Sequence, residues 1–265
     1  MQNPNIDKGH AFDWGRASKD YAQYRDIYPA GFYQKLLELQ IGTSGQKILD
    51  LGTGTGVIPR NLYRYGADFT GIDASPEQIE QARRLAMEND MQITFACACA
   101  EDVGFPAQTF DVVTACQCFV YFRHEELAPR VYEMLKPNGR FAVMYMAWLP
   151  FEDEIASRSE SLILKYNPAW TGGKETRRKF SMPKAYEPYF EMETNELFDI
   201  PVPFTKESWN GRIKACRGIG ASLSEEAIMQ FEKEHKMLLD EIAPTEFTVL
   251  HYAAIAVMKA LPCVG

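Results

Sequence analysis

The chain has 265 residues and a formal net charge of −8. That length suits one α/β domain with an insertion and is enough to bury a sizeable core. The acid excess repels polyanions and argues against nucleic acid as substrate or partner. No apolar run approaches the roughly 20 residues of a membrane helix, and the start, with Asn3, Asn5, Asp7, Lys8 and His10, does not read as a signal peptide. A cytoplasmic protein without membrane contact is expected.

Residues 1–11 read as a polar, frayed start. From Phe12 to Leu39, aromatic residues recur at mixed helical spacings, with Ser18 and Pro29 as helix-start signals, and predict a helical cap. Ile48, Leu49 and Leu51 then form a short buried strand that runs into Gly52-Thr53-Gly54-Thr55-Gly56, and Val57–Leu62 opens a helix with Pro59 in its first turn. Glycine lets backbone approach a ligand closely and tolerates positive φ. The spacing is not the dinucleotide fingerprint G-x-G-x-x-G, because Val57 stands where its third glycine belongs. No Gly-Lys-Ser/Thr follows, which excludes a phosphate-cradling loop. Asp50, just before the first glycine, suits an ammonium group better than a pyrophosphate.

A second strand, 68–73, ends on Asp73, about 20 residues past the first glycine, the offset at which an acid accepts hydrogen bonds from ribose hydroxyls. Ser75-Pro76-Glu77-Gln78 is a capped helix start, and Ile79, Ala82 and Ala86 follow as an apolar stripe. Strands over 92–98 and 110–116, a helix from Glu125 to Leu135 and a strand from Arg140 to Met146 complete an alternating pattern that calls for a right-handed parallel sheet. Residues 148–190 break the pattern with four prolines, the pair Gly172-Gly173 and the basic run Lys174–Lys179, and read as an insertion, helical over 153–165. A strand over 191–202, a helix over 206–217, an amphipathic helix started by Ser222-x-x-Glu225 and an apolar strand from Phe247 to Met258 finish the chain.

The stretch from Ile48 to Gly56 closely resembles the first motif of the class I, Rossmann-like S-adenosylmethionine-dependent methyltransferases, of the small-molecule type. The resemblance implies a seven-stranded sheet, parallel with one antiparallel edge strand, in a single domain: helical cap 12–40, cofactor-binding core 41–147, substrate-cover insertion 148–190 and last strands and helices 191–261. It implies that S-adenosylmethionine is held by Asp50, Gly52, Thr53, Gly54, Gly56, Asp73, Ala74 and Gln78, by the trio Ala100-Glu101-Asp102 at the adenine, and by Cys116. The segment Tyr21-x-x-Tyr24-Arg25-x-x-Tyr28-Pro29 also matches one seen in the family. There Tyr21 and Arg25 meet the cofactor, although Arg25 over aromatic rings equally suits a structural cation–π role.

Cys116-Gln117-Cys118-Phe119-Val120-Tyr121-Phe122 is more distantly similar to trans-aconitate methyltransferases, with Val120 and Tyr121 replacing their His-Trp pair. A small-molecule acceptor is implied, and Tyr28, Tyr121, Trp148, Tyr166 and Trp170 are candidate substrate contacts. The insertion and the cap are expected to cover the methyl-transfer site, with Gly172-Gly173 as a hinge. Tyr121, His124 and His251 are the candidate general bases if the acceptor must lose a proton.

Of six cysteines, 97, 99, 116 and 118 form two Cys-x-Cys pairs. The family's sheet order puts two strands between the pairs, about 14 Å at ~4.8 Å per strand, too far for one zinc with ~2.3 Å bonds. No metal and no disulfide is expected, and the thiols should be buried. Rival readings are a methyltransferase acting on tRNA or protein through Arg177-Arg178, and a non-catalytic cofactor-binding regulator.

Overall fold

The structure, a computed structural model, describes residues 4–262; Cys263 lies outside them. Seven strands form one sheet in the order β3-β2-β1-β4-β5-β7-β6. They are β1 (Lys47–Leu51), β2 (Asp68–Asp73), β3 (Thr94–Cys97), β4 (Phe110–Cys116), β5 (Leu135–Trp148), β6 (Phe190–Thr205) and β7 (Glu246–Ala260). Pairs β1/β2, β1/β4, β2/β3 and β4/β5 are parallel. The antiparallel strand is β7, one place in from the edge. Leu149 N donates to Leu250 O beyond the end of β5, and Leu261 N donates to Tyr189 O before the start of β6. The expected fold is present, and two strands do separate β3 from β4.

Helices α1 (Ser18–Tyr24) and α2 (Ala30–Glu38) precede β1, and α3 (Val57–Leu62), α4 (Pro76–Glu88) and α5 (His124–Met134) link the parallel strands. Later come α6 (Glu154–Tyr166), α7 (Lys206–Lys214) and α8 (Glu225–Ile242). The cap at α4 is as the sequence requires: Ser75 Oγ accepts from Gln78 N, with Pro76 in the first turn. At α8 the cap is Ser224, whose side chain accepts from Ala227 N. Ser222, the expected cap, instead donates its hydroxyl to Arg217 O at 2.7 Å.

The chain divides into two compact units. The first comprises Met1–Pro29, Ala147–Arg177 and Asp199–Tyr252; the second comprises Ala30–Met146, Arg178–Phe198 and Ala253–Gly265. In the second, Leu49, Leu51, Val113, Phe141, Tyr186 and Phe190 belong to one buried cluster around the sheet. Tyr186 stacks on Phe141, 5.7 Å between ring centroids. In the first, Trp209 is fully buried against Phe204 and Trp148. A buried polar chain crosses its core. His235 Nδ1 lies 2.9 Å from Asn210 Oδ1, its Nε2 lies 2.9 Å from Ser159 Oγ, and Trp209 Nε1 donates to the same Oγ at 2.9 Å. This arrangement fits a His235 protonated on Nδ1 alone, and burial holds its pKa down to about 4.

The polar N-terminal segment is not frayed at Asp7, which is 2% exposed. Its carboxylate accepts from Arg217 Nε at 2.7 Å and from Thr171 N at 2.8 Å. A buried carboxylate holding a guanidinium and a backbone amide anchors the segment within the first unit. The expectation of burial also fails for Cys97 and Cys99, which are exposed, and is only half met by Cys116 and Cys118, while Cys216 is buried. Strand β3 is short and ends at Cys97, so alternation no longer turns these thiols inward. Asp7→Asn should destabilise the protein by about 3 kcal/mol, because it removes the carboxylate charge that Arg217 faces. A urea denaturation midpoint equal to wild type would show that the pair contributes nothing.

Candidate cofactor site

The site is built at the carboxyl ends of β1 and β2. Gly52, Gly54 and Gly56 all have positive φ, at 59°, 55° and 75°. Two also leave room for nothing larger: a Cβ on Gly52 would lie 2.7 Å from Cys118 Cβ, and one on Gly56 would lie 2.7 Å from Phe95 Cζ. The loop therefore needs glycine for conformation and for space. Thr53 N donates to Ile72 O at 2.8 Å and Gly56 N to Thr53 O at 2.9 Å, which ties the loop to β2 and closes its turn.

Asp73 holds this loop to the start of α4. Its Oδ2 accepts from Gly54 N and its Oδ1 from Ser75 N, each at 2.9 Å. A carboxylate offers about four lone-pair sites, so these bonds leave capacity for a ligand. Asp50, 2% exposed, accepts from Thr114 Oγ1 at 2.6 Å. No lysine or arginine lies within ion-pair distance of it among the described residues. Burial pushes its pKa up to about 6, against the lowering effect of the Thr114 and Thr53 hydroxyls. A buried carboxylate facing a glycine cradle, with no cation of the protein's own, fits a ligand that brings an ammonium.

The other expected contacts lie in the same unit with distinct surroundings. Gln78 and Ala100 are buried, Ala74 and Asp102 exposed, and Cys116 intermediate. Glu101 is 6% exposed and accepts from Arg123 N at 2.8 Å, so it already braces the turn before α5. Sequence reading missed that role, although an acid in a buried position implies a donor nearby. Cys118, also missed, sits beneath Gly52 with its Sγ 3.1 Å from Leu51 O. Tyr121 lies in a single turn, Phe119–Tyr121. His124 Nδ1 is 3.2 Å from Tyr186 Oη, and burial lowers the His124 pKa. Among the described residues no three His, Cys, Asp or Glu side chains converge as metal ligands.

Tyr21, Arg25, Tyr28, Trp148, Tyr166, Trp170 and His251 belong to the first unit. Arg25 Cζ lies 4.7 Å from the centroid of the Tyr21 ring, so the cation–π contact is present. Trp148 and Trp170 are each 6% exposed, and Trp148 Nε1 donates to Glu160 Oε2 at 3.0 Å. Tyr166 packs edge-on against Phe231. A Cβ on Gly172 would lie 2.6 Å from Trp170 Nε1, which makes the Gly172-Gly173 pair a close-packed segment. His251 is fully buried, its Nδ1 2.9 Å from Val249 O, and burial lowers its pKa to about 3. In the basic run, Arg177 is paired with both Glu152 and Asp199.

Comparison with known proteins gives a consistent answer. Residues 48–139 match the sequence pattern described as a methyltransferase domain. A ubiquinone biosynthesis O-methyltransferase of Coxiella burnetii is 28% identical over 151 residues, covering 53% of this chain and 62% of that protein. A mitochondrial enzyme of the same name from Schizosaccharomyces pombe is 37% identical over 108 residues, 38% of each. The chain thus spans about three fifths or less of the length of these curated relatives. A crystal structure described as a putative methyltransferase from Bacillus halodurans shares the fold, with a TM-score of 0.54 over 87% of this chain and 99% of that one at 14% identity. The glycine loop, the strand order and these likenesses agree: residues 48–139 match a methyltransferase domain, set in the sheet expected of the class I, Rossmann-like S-adenosylmethionine-dependent methyltransferases.

Proposed function

We propose that the protein transfers a methyl group from S-adenosylmethionine to a small-molecule acceptor by in-line displacement. The observation that carries this reading is Asp50, a buried carboxylate without a protein cation, behind a cradle of three glycines in the left-handed region. On this reading Asp50 receives the cofactor's ammonium and the backbone of Gly52–Gly56 lies against its amino-acid end. The free lone pairs of Asp73 take the ribose hydroxyls, and Ala100, Glu101 and Asp102 border the adenine. Thr53, Ala74, Gln78 and Cys116 complete the proposed contacts.

The sulfonium supplies an already activated methyl group. The residues of the chain therefore act mainly by orientation, which contributes about 7–11 kcal/mol when nucleophile and methyl are held in line. A hydroxyl acceptor, as the relatives' name suggests, requires a base. His124 is the better placed of the two histidines to serve, because His251 with a pKa of about 3 holds a proton poorly. A tRNA or protein acceptor gains no support from Arg177, whose charge Glu152 and Asp199 neutralise. The likeness to trans-aconitate methyltransferases rests on residues 116–122 alone.

Calorimetry should detect binding of S-adenosylhomocysteine but not of NAD or ATP; tight NAD binding with none of S-adenosylhomocysteine would overturn the assignment. Asp73→Ala should weaken S-adenosylhomocysteine binding by about 1.5–3 kcal/mol, the value of a hydrogen bond to a charged group. An unchanged affinity removes Asp73 from the site.

The raised pKa of Asp50 also makes a pH-dependent prediction. A carboxyl whose folded pKa of about 6 exceeds its unfolded value of about 3.9 binds its proton more tightly when folded. The resulting destabilisation is absent below about pH 4, grows from there to pH 6, and is complete above. Asp50→Asn should therefore stabilise the ligand-free protein by on the order of 2 kcal/mol at pH 7–8 and leave it nearly unchanged below pH 4. Equal denaturation curves for variant and wild type at pH 8 would show that Asp50 carries no such strain.

A further inference from the structure

The first unit contains a charge of the opposite sign that the fold also leaves uncompensated. Arg212, in α7, is 4% exposed. Its Nε and Nη1 atoms are buried and have no hydrogen-bond partner. The guanidinium lies over the Trp148 ring, 5.0 Å from Cζ to the centroid. Arg25, at the carboxyl end of α1, is a second cation close enough to lower the Arg212 pKa, although burial is the larger cause, and together with other neighbours they bring it to about 9. Tyr21, Tyr28 and the Cys216 thiol are the other titratable groups acting strongly on Arg212. The Nε2 of His251 is buried without a partner as well, and both arginines act on it. No carboxylate lies within ion-pair distance of either guanidinium among the described residues.

This is not a shortage of acid, since the chain has 36 Asp and Glu against 28 Lys and Arg. Elsewhere in the same unit cations are matched: Arg217 with Asp7, Lys214 with Asp20 and Arg177 with Glu152 and Asp199. An enclosed guanidinium without an acceptor, acted on by a second like charge, opposes folding. A cation–π contact with Trp148 positions Arg212 without neutralising it. The planar fork of guanidinium donors matches the paired oxygens of a carboxylate or phosphate.

We propose that Arg212, in the first unit together with Arg25, is an oxyanion receptor that takes the carboxylate or phosphate group of a small-molecule ligand. It names a second ligand, an acid, beyond the cofactor of the methyltransferase reading above. The Trp148 and Tyr21 rings each lie against one guanidinium, and the unpartnered His251 Nε2 offers an acceptor to a hydroxyl on the same ligand.

The test uses the full chain saturated with S-adenosylhomocysteine. Benzoate, succinate and phenyl phosphate should raise the melting temperature, and benzamide and succinamide should not; the relative response to carboxylates and to the phosphate identifies the preferred oxyanion. Arg212→Met should weaken acid binding roughly tenfold to hundredfold, the loss expected for a charged hydrogen bond. It should leave the affinity for S-adenosylhomocysteine within twofold, and the melting temperature of the ligand-free protein should not fall, because an enclosed unpaired charge is replaced by an apolar chain of similar length. Arg212→Lys, which keeps the charge, should restore part of the acid response.

Equal responses to acids and amides in the wild type would overturn the proposal, as would the absence of any response. Acids that compete with S-adenosylhomocysteine, or a parallel loss of S-adenosylhomocysteine affinity in Arg212→Met, would assign the oxyanion to the cofactor's own carboxylate and overturn it equally. A wild type that binds no S-adenosylhomocysteine defeats the methyltransferase reading itself. One that binds it and responds to acids and amides alike defeats only the acid receptor.

Discussion

Two backbone amides, those of Gly54 and Ser75, converge on the single carboxylate of Asp73, and the second unit's site depends on that convergence. β1 and β2 pair in parallel with Asp50 opposite Gly71 and Leu51 opposite Ile72, which brings the chain ends after both strands side by side. The glycine loop after β1 has few side chains to hold it. Asp73 supplies the acceptor that fixes Gly54, and with its other oxygen it fixes the turn that Ser75 needs to cap α4. Gly71 contributes by absence: a Cβ there would lie 2.8 Å from both Phe95 and Thr53 Oγ1. Loop, strand end and helix start are thus one hydrogen-bonded assembly, and a ligand meets backbone whose position is already set.

The parts legible in the sequence are those whose cause is local. The strand into glycines, the Ser75-Pro76 helix start and the apolar stripe of α4 each follow from residues within a few positions, and each is found where the pattern puts it. The parts that were not legible depend on partners far along the chain. Asp7 looks like one more polar residue in a frayed segment until Arg217 and Thr171 close on it. Ser222 has the right spacing for a cap, yet its hydroxyl is taken by Arg217 O and Ser224 does the work. Cys97 and Cys99 alternate as core residues do, but β3 is too short for the alternation to bury them. Glu101 was visible as one member of an acidic trio, while its bond to Arg123 N belongs to a turn 22 residues away.

The first unit shows what a buried polar group looks like when the fold satisfies it. Asn210, His235, Ser159 and Trp209 form a chain in which each donor has an acceptor, and the low His235 pKa keeps the imidazole neutral. That chain specifies a core without holding charge, the condition under which a buried network is tolerated. Arg212 differs on each count: it is charged, its Nε and Nη1 lack acceptors, and its nearest strong electrostatic neighbour among cations is another arginine.

Asp50 and Arg212 therefore pose the same physical question from opposite signs. A fold selected for stability alone replaces such groups with apolar side chains, because each enclosed, unpaired charge opposes folding. Their retention is explained if a ligand brings the missing charge, since whatever binds the folded state alone stabilises it by mass action. The two residues then carry different chemical requirements. Asp50 asks for a cation beside a backbone cradle, which the ammonium of an amino acid meets. Arg212 asks for planar or tetrahedral oxygens beside the Trp148 ring, which an ammonium does not meet. Occupation of one leaves the other uncompensated, so the protein reaches its most stable state only with both charges answered.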